Sequence, residues 1–134
     1  HTEVINYQGT NGNGLPQLYD GVPFPNSPEW QASITGSYDA PISERLGLQA
    51  TLNYRWQSET ASDLSEGPAF RVDAFGTLNG SIGLYDLNGR WKLNAWGRNL
   101  TDEYYWTSVS SNANLVVRFA GKPRTFGLNL SYAY

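Results

Sequence analysis

Apolar and polar residues alternate with a period of two along five segments of the chain. These segments are 30–40, 46–57, 72–84, 91–96 and 125–134. In the first, the even positions from Trp30 onward are apolar or small, and every odd position is polar. Because successive side chains of a strand point to opposite faces, this period predicts β-strands with one apolar and one polar face. Phe75, Tyr85 and Trp96 are apolar or aromatic at positions where the pattern expects a polar residue.

The connections between these segments alternate in length. Residues 40–45 and 86–89 are tight turns, and Asn88-Gly89 is a strong hairpin signal. The other connections are long and polar and cover residues 8–29, 58–71 and 101–124. Strands of roughly ten residues, with short turns at one end and long loops at the other, are typical of bacterial outer-membrane barrels. The predicted fold is therefore all-β, an antiparallel up-and-down transmembrane β-barrel segment.

Two shorter pieces extend this prediction. Residues 2–7 are expected to contribute part of a sixth strand. Within the last long loop, Leu115-Val116-Val117-Arg118-Phe119 is expected to extend a strand above the membrane.

Aromatic residues gather at the ends of the apolar face. With the long loops outside, one set lies at the outer ends of the strands and one at the inner ends, with mostly aliphatic residues between them. Amphipathic rings favour the depth of the membrane interface, so we expect these residues to form two girdles. The predicted girdle residues are Trp30, Tyr38, Tyr54, Trp56, Trp91, Tyr132 and Tyr134.

Composition excludes several function classes. The chain has no cysteine, and its single histidine is His1, so a disulfide framework, a Cys or His metal site and Ser-His catalysis are not expected. A net charge of −3 argues against nucleic acid, which requires a clustered basic face. Loop acids such as Asp63, Glu66 and Asp102 could bind Ca²⁺ or act as acids, but solvated loop carboxylates are the favoured interpretation. We predict no enzyme, no metal and no cofactor.

Three sequence motifs together resemble the C-terminus of TonB-dependent receptors. They are Asn99-Leu100-Thr101-Asp102 followed by Tyr104-Tyr105, Gly121-Lys122-Pro123-Arg124-Thr125-Phe126-Gly127-Leu128, and the upstream Phe24-Pro25-Asn26-Ser27-Pro28-Glu29-Trp30. Their order is more specific than any one of them, and the resemblance extends from about residue 20 to the end. Gly127, Leu130, Tyr132 and Tyr134 resemble the signal read by the outer-membrane assembly machinery, although Tyr134 replaces the commoner Phe.

The resemblance implies a barrel of about 22 strands with an N-terminal plug. Residues 1–134 would hold about the last five strands, with the plug domain and the N-terminal strands absent. The implied function is energy-coupled uptake of a scarce nutrient such as a siderophore, vitamin or glycan, at the bacterial outer membrane. The implied partners are outer-membrane lipid, a periplasmic energy-coupling protein acting through the missing N-terminal part, the assembly machinery, and a small-molecule or glycan ligand.

Six residues are candidates for the ligand path. Arg55, Lys92 and Arg98 occupy polar strand positions and should face the lumen, although charges are also simply what a barrel interior contains. Tyr104, Tyr105 and Trp106 lie near the mouth of the last long loop, where they could stack on a ligand ring or merely pack within the loop.

Two other folds are compatible with alternating strands. A soluble carbohydrate-binding β-sandwich module would also alternate, and the Trp, Tyr and Asn content fits it. A small complete barrel with an adhesive or structural role would need at least about eight strands, more than the pattern supplies.

Overall fold

The computed structural model describes residues 3–11, 14–64, 67–112 and 115–133. Some residues named in the sequence predictions lie outside the described ranges. They are His1, Thr2, Glu66 and Tyr134. No helix within the described part is long and apolar enough to cross a membrane.

The described residues form eleven strands and one short 3-10 helix. The strands are β1 Tyr7–Thr10, β2 Pro16–Tyr19, β3 Gln31–Pro41, β4 Leu46–Gln57, β5 Thr60–Ala61, β6 Arg71–Val72, β7 Phe75–Asp86, β8 Trp91–Arg98, β9 Trp106–Asn112, β10 Leu115–Ala120 and β11 Thr125–Tyr132. The 3-10 helix is Pro68–Phe70. They belong to two compact units: the sheet unit (within 32–56, 76–103 and 122–134) and the hairpin unit (within 1–31, 57–75 and 104–121).

The sheet unit contains the five long strands in the order β11-β8-β7-β4-β3. Neighbours in the sheet follow one another along the chain among these five strands, and β8 pairs antiparallel with both β7 and β11. At the β7–β8 turn, Gly89 takes a positive φ of 76° and its N–H donates to the Asp86 carbonyl over 2.8 Å. The prediction of five up-and-down strands joined in part by tight turns is confirmed.

The sheet has one apolar face that the sheet unit itself leaves uncovered. Cross-strand register aligns Ile82, Ala95 and Leu128 in one apolar row. Ile34 and Leu128 are 71% and 74% exposed, and no hydrophobic side chain among the described residues of this unit is buried. Exposing such a face to water costs about 25 cal/mol per Å², whereas lipid covers it without penalty. A β-sandwich would bury this face against a second sheet, so that alternative does not describe this unit.

The hairpin unit consists of short antiparallel pairs, β1 with β2, β5 with β6, and β9 with β10. All buried hydrophobic side chains of the described residues lie in this unit: Val4, Tyr19, Val72 and Val109. The hydroxyl of Ser62 accepts a hydrogen bond from the Val109 N–H over 2.9 Å and donates one to Oδ1 of Asn26 over 3.1 Å. These bonds tie the segment after β5 to β9 and to the chain before β3.

Three sequence predictions need correction here. The long connections carry strands of their own, because residues within them pair locally with one another. Within residues 2–7, the described part adds no strand to the five-stranded sheet: Tyr7 begins β1, which pairs with β2, and Glu3 bridges Pro23. The predicted strand over 72–84 begins only at Phe75. Val72 belongs instead to β6, where it pairs with Thr60 of β5 and is fully buried. Residues 115–119 do form a strand, β10, but it pairs with β9 in a hairpin of its own, and its position above the membrane stays a prediction.

Candidate functional site

Large side chains on the polar face of the sheet reach across one strand to the strand beyond it. The hydroxyl of Tyr85 donates to Oδ1 of Asp39 over 2.5 Å, and Nε2 of Gln49 donates to Oδ1 of Asn94 over 3.4 Å. Tyr85 reaches Asp39 across Gly47, where a Cβ would overlap the phenol ring. Tyr85 therefore breaks the period of two because it acts as a bridge on the polar face.

Trp96 is the second exception to the alternation, and it has a comparable role. It faces Ser81 of β7 and Gly127 of β11 across the sheet. A Cβ on Gly127 would overlap the indole ring, so the ring lies directly against the backbone there. Trp96 remains half-buried, and the guanidinium of Arg98 lies 5.3 Å from its centroid, a cation–π distance.

Trp96 and Arg98 line a recess of about 330 Å³, the polar recess. The side chains of the polar recess come from Thr51, Asn53, Asn79, Ser81, Trp96, Arg98 and Asn129. Nδ2 of Asn53 donates to Oγ1 of Thr35 over 2.8 Å, and Oδ1 of Asn79 accepts from the Asn99 N–H over 3.0 Å. These bonds fix the two amides and leave each with further hydrogen-bonding groups.

The three predicted lumen cations do not meet at one site. Arg98 lines the polar recess, whereas Lys92 lies near the other end of β8, in a recess of about 470 Å³ that also contains Tyr85 and Asp86. Arg55 is exposed and has no hydrogen-bond or ion-pair partner within the described part of the chain. Of these cations, only Arg98 is paired with an aromatic ring.

The three predicted loop aromatics divide into two groups. Tyr105 stacks on Phe75 with centroids 4.0 Å apart, which is a packing role within the hairpin unit. Tyr104 is 75% exposed and meets Trp106 edge-on at 5.2 Å. The guanidinium of Arg118 lies 5.7 Å from the Trp106 ring, next to an irregularity in the β9–β10 register.

Most of the predicted girdle residues that the structure describes are exposed. Among those described, Trp30, Tyr38 and Tyr132 are 66%, 55% and 70% exposed. Trp91 is the register partner of Tyr132. Two residues of the predicted assembly signal differ in environment, since Leu130 is exposed on the apolar face while Gly127 lies beneath Trp96. Their depth in a membrane stays a prediction, and Tyr134 lies outside the described residues.

Asn99 is a structural residue whose role the sequence alone did not reveal. It is 3% exposed and adopts a positive φ of 50° immediately after β8. Its Nδ2 donates to the carbonyls of Glu103 and Lys122 over 2.9 and 3.1 Å, and its Oδ1 accepts the Glu103 N–H over 2.9 Å. The available signal was the motif Asn99-Leu100-Thr101-Asp102, since Asn tolerates left-handed backbone and its amide can bond two segments at once.

Carboxylates in the described part of the chain do not gather into a metal site. No group of three or more Asp, Glu, His or Cys side chains occurs among these residues. Asp102 instead pairs with Arg124 over 3.2 Å, with both side chains about half exposed.

The sheet, its uncovered apolar face and its bridged polar face define a segment of the wall of a transmembrane β-barrel. Residues 3–100 match the family described as TonB dependent receptor-like, beta-barrel. The chain belongs to this family, and the resemblance found in the sequence motifs is confirmed.

One solved structure supports the same fold across most of the chain. The ferric yersiniabactin uptake receptor FyuA from Yersinia pestis matches with a TM-score of 0.75 and 23% sequence identity, over 86% of this chain and 18% of that one. The chain therefore spans 18% of the length of that receptor. No curated protein sequence matches this chain.

Proposed function

We propose that this chain is the C-terminal part of an outer-membrane receptor that takes up a scarce nutrient in an energy-coupled manner. The observation that carries the proposal is the asymmetry of the five-stranded sheet. One face exposes aliphatic side chains such as Ile34 and Leu128, which suits lipid, and the other carries cations and amides, which suits a polar lumen. Family membership and the likeness to a siderophore uptake receptor support the same function.

The proposal divides the work between this chain and parts of the receptor outside it. The plug domain and the preceding strands would complete and fill the barrel, and the periplasmic energy-coupling protein would act through that N-terminal part. The predicted girdle residues would contact lipid, and Gly127, Leu130, Tyr132 and Tyr134 would be read by the assembly machinery. No catalytic step and no cofactor is assigned to the chain.

Arg98 and Trp106 are the ligand-path residues that the geometry favours most. Arg98 lines the polar recess beside an aromatic ring, and the half-buried Trp106 contacts the exposed side chains of Tyr104 and Arg118. Lys92 lines the larger recess with Tyr85 but makes no cation–π contact, Arg55 is exposed, and Tyr105 stacks on Phe75.

Fractionation of source cells tests the proposal. An antibody against residues 101–124 should detect a band several times larger than 14.9 kDa in the Gram-negative outer membrane, and its mobility should change on heating. Deletion of the gene should then impair growth when one nutrient is scarce. A soluble, heat-insensitive band near 14.9 kDa would refute the proposal.

A further inference from the structure

The polar recess presents one face of an aromatic residue among neutral hydrogen-bonding groups. Trp96 is half-buried, with its ring against Gly127 at one side of the recess. An indole this large on the polar face, without full burial, provides an apolar surface for a ligand ring. The indole N–H has no hydrogen-bond partner among the described residues.

The amides and hydroxyls of the recess retain free hydrogen-bonding capacity. Oδ1 of Asn53, Nδ2 of Asn79 and the hydroxyl of Ser81 have no partner in the described part of the chain. Amides and hydroxyls together offer both donors and acceptors. A ligand rich in hydroxyl groups, each of which both donates and accepts, satisfies such a mixed set better than a ligand with acceptors alone.

Arg98 adds a single positive charge at the edge of the recess. Within the described part of the chain it forms no ion pair with a carboxylate, and its guanidinium lies 5.3 Å from the Trp96 centroid. A guanidinium can bind a carboxylate through two parallel hydrogen bonds. The recess therefore suits a ligand with one negative charge.

From these groups we infer that the polar recess is a binding subsite for an acidic sugar, a polyhydroxylated ring that carries one carboxylate. The inference rests on the proposed uptake function and names the class of substrate that the lumen wall of the receptor would bind. The apolar face of the sugar ring packs on the part of the Trp96 ring that Gly127 and Arg98 leave open, its hydroxyls bond Asn79 and Ser81, and its carboxylate pairs with Arg98.

Size and charge favour this ligand class over a multiply charged ferric chelate. A volume of about 330 Å³ is at the lower end of small-molecule sites and fits one ring or the terminal unit of a chain. A multiply charged iron complex would need several cations, and Arg98 is the one cation that lines this recess among the described residues.

Ligand-observed saturation-transfer NMR on the purified full-length receptor tests the inference. The probes are sodium glucuronate and glucose, which differ only at C6, a carboxylate in the first and a hydroxymethyl group in the second. We expect transfer to both sugars in the unsubstituted receptor, with glucuronate binding about ten-fold more tightly because of its pairing with Arg98. Trp96→Ala should weaken both sugars about five-fold or more, since it removes the stacking surface.

Charge variants separate the role of Arg98 from general electrostatics. Arg98→Gln should reduce glucuronate binding to the level of glucose and leave glucose binding nearly unchanged. Arg45→Gln, at an exposed turn arginine outside the recess, is the matched control and should preserve the preference for glucuronate. Trp96→Phe retains an aromatic ring, and heat-dependent gel mobility identifies any variant that fails to fold.

Three results would overturn the inference. They are no transfer to either sugar, transfer that is unchanged in Trp96→Ala, and a glucuronate preference that survives Arg98→Gln. If the receptor is in the outer membrane and imports another nutrient, any of these results rejects the acidic-sugar subsite and leaves the proposed function intact. If the protein is absent from the outer membrane, the proposed function itself fails.

Discussion

The side-chain amide of Asn99 donates a hydrogen bond to the carbonyl oxygen of Lys122, 3.1 Å away and 23 residues further along the chain. The same amide donates to Glu103 and accepts from its N–H, so one buried side chain holds the end of β8 to the segment that leads into β11. The backbone N–H of Leu100 adds a 2.7 Å bond to the Leu78 carbonyl in β7. This arrangement fixes where the last long connection leaves and re-enters the sheet.

Removing the Asn99 side chain should destabilise the receptor. Asn99→Gly keeps the positive φ accessible and removes three side-chain hydrogen bonds, at an expected cost of about 2–4 kcal/mol in the free energy of unfolding. Asn99→Ala should cost roughly 1 kcal/mol more because alanine is strained at this φ. Urea unfolding of the full-length receptor in lipid vesicles measures both. Asn88→Ala, at an exposed turn position, is the control, and an equal loss there would contradict the prediction.

Adding a methyl group at Gly127 should displace Trp96. The new Cβ would overlap the indole, so Gly127→Ala is expected to cost about 1–3 kcal/mol. Gly36→Ala is the matched control, since nothing lies within 4 Å of its Cβ position, and it should change stability by less than about 0.5 kcal/mol. In a Trp96→Ala background the cost of Gly127→Ala should disappear. A cost that persists there would show that the ring is not the obstacle.

The two faces of β4 should respond differently to charge. Leu52 is 52% exposed on the apolar face, and Leu52→Arg should cost about 2–4 kcal/mol if this face meets lipid near the membrane midplane. Thr51→Arg places the same charge one residue away on the polar face and should cost well under about 1 kcal/mol. Unfolding of the full-length barrel in vesicles measures the difference between the two costs. Equal costs would contradict the assignment of one face to lipid and the other to the lumen.

The first and last strands of the sheet should make the isolated chain associate. β3 and β11 stand at the two ends of the strand order, and each leaves one row of backbone groups unpaired within the sheet. We expect the 134-residue chain alone to form edge-to-edge oligomers or precipitate, since exposed edges template further pairing. Size-exclusion chromatography with light scattering after refolding in detergent tests this. A monomer that melts cooperatively would be the opposite result.

The five long strands, their two faces and the tight turns follow from the local sequence pattern. Alternation is a local property, because strand geometry alone sends Leu52 and Asn53 to opposite sides. Gly89 after Asn88 likewise predicts its own turn, since glycine accepts positive φ without strain. The family motifs around Asn99 and Gly127 were also readable, although the contacts made by these residues were not.

Other contacts depend on which strands pair and in which register, and these arise only in the folded chain. Trp96 and Tyr85 break the alternation of apolar and polar residues. The structure explains both exceptions, because Gly127 lies beneath the ring of Trp96 and Gly47 beneath the ring of Tyr85, each on a neighbouring strand. The pairing within the long connections, which buries Val72, was hidden for the same reason. The polar recess draws side chains from β4, β7, β8 and β11, so its composition exists only once the sheet has formed. Cross-strand neighbours are set by backbone pairing between distant segments, and no local period encodes that.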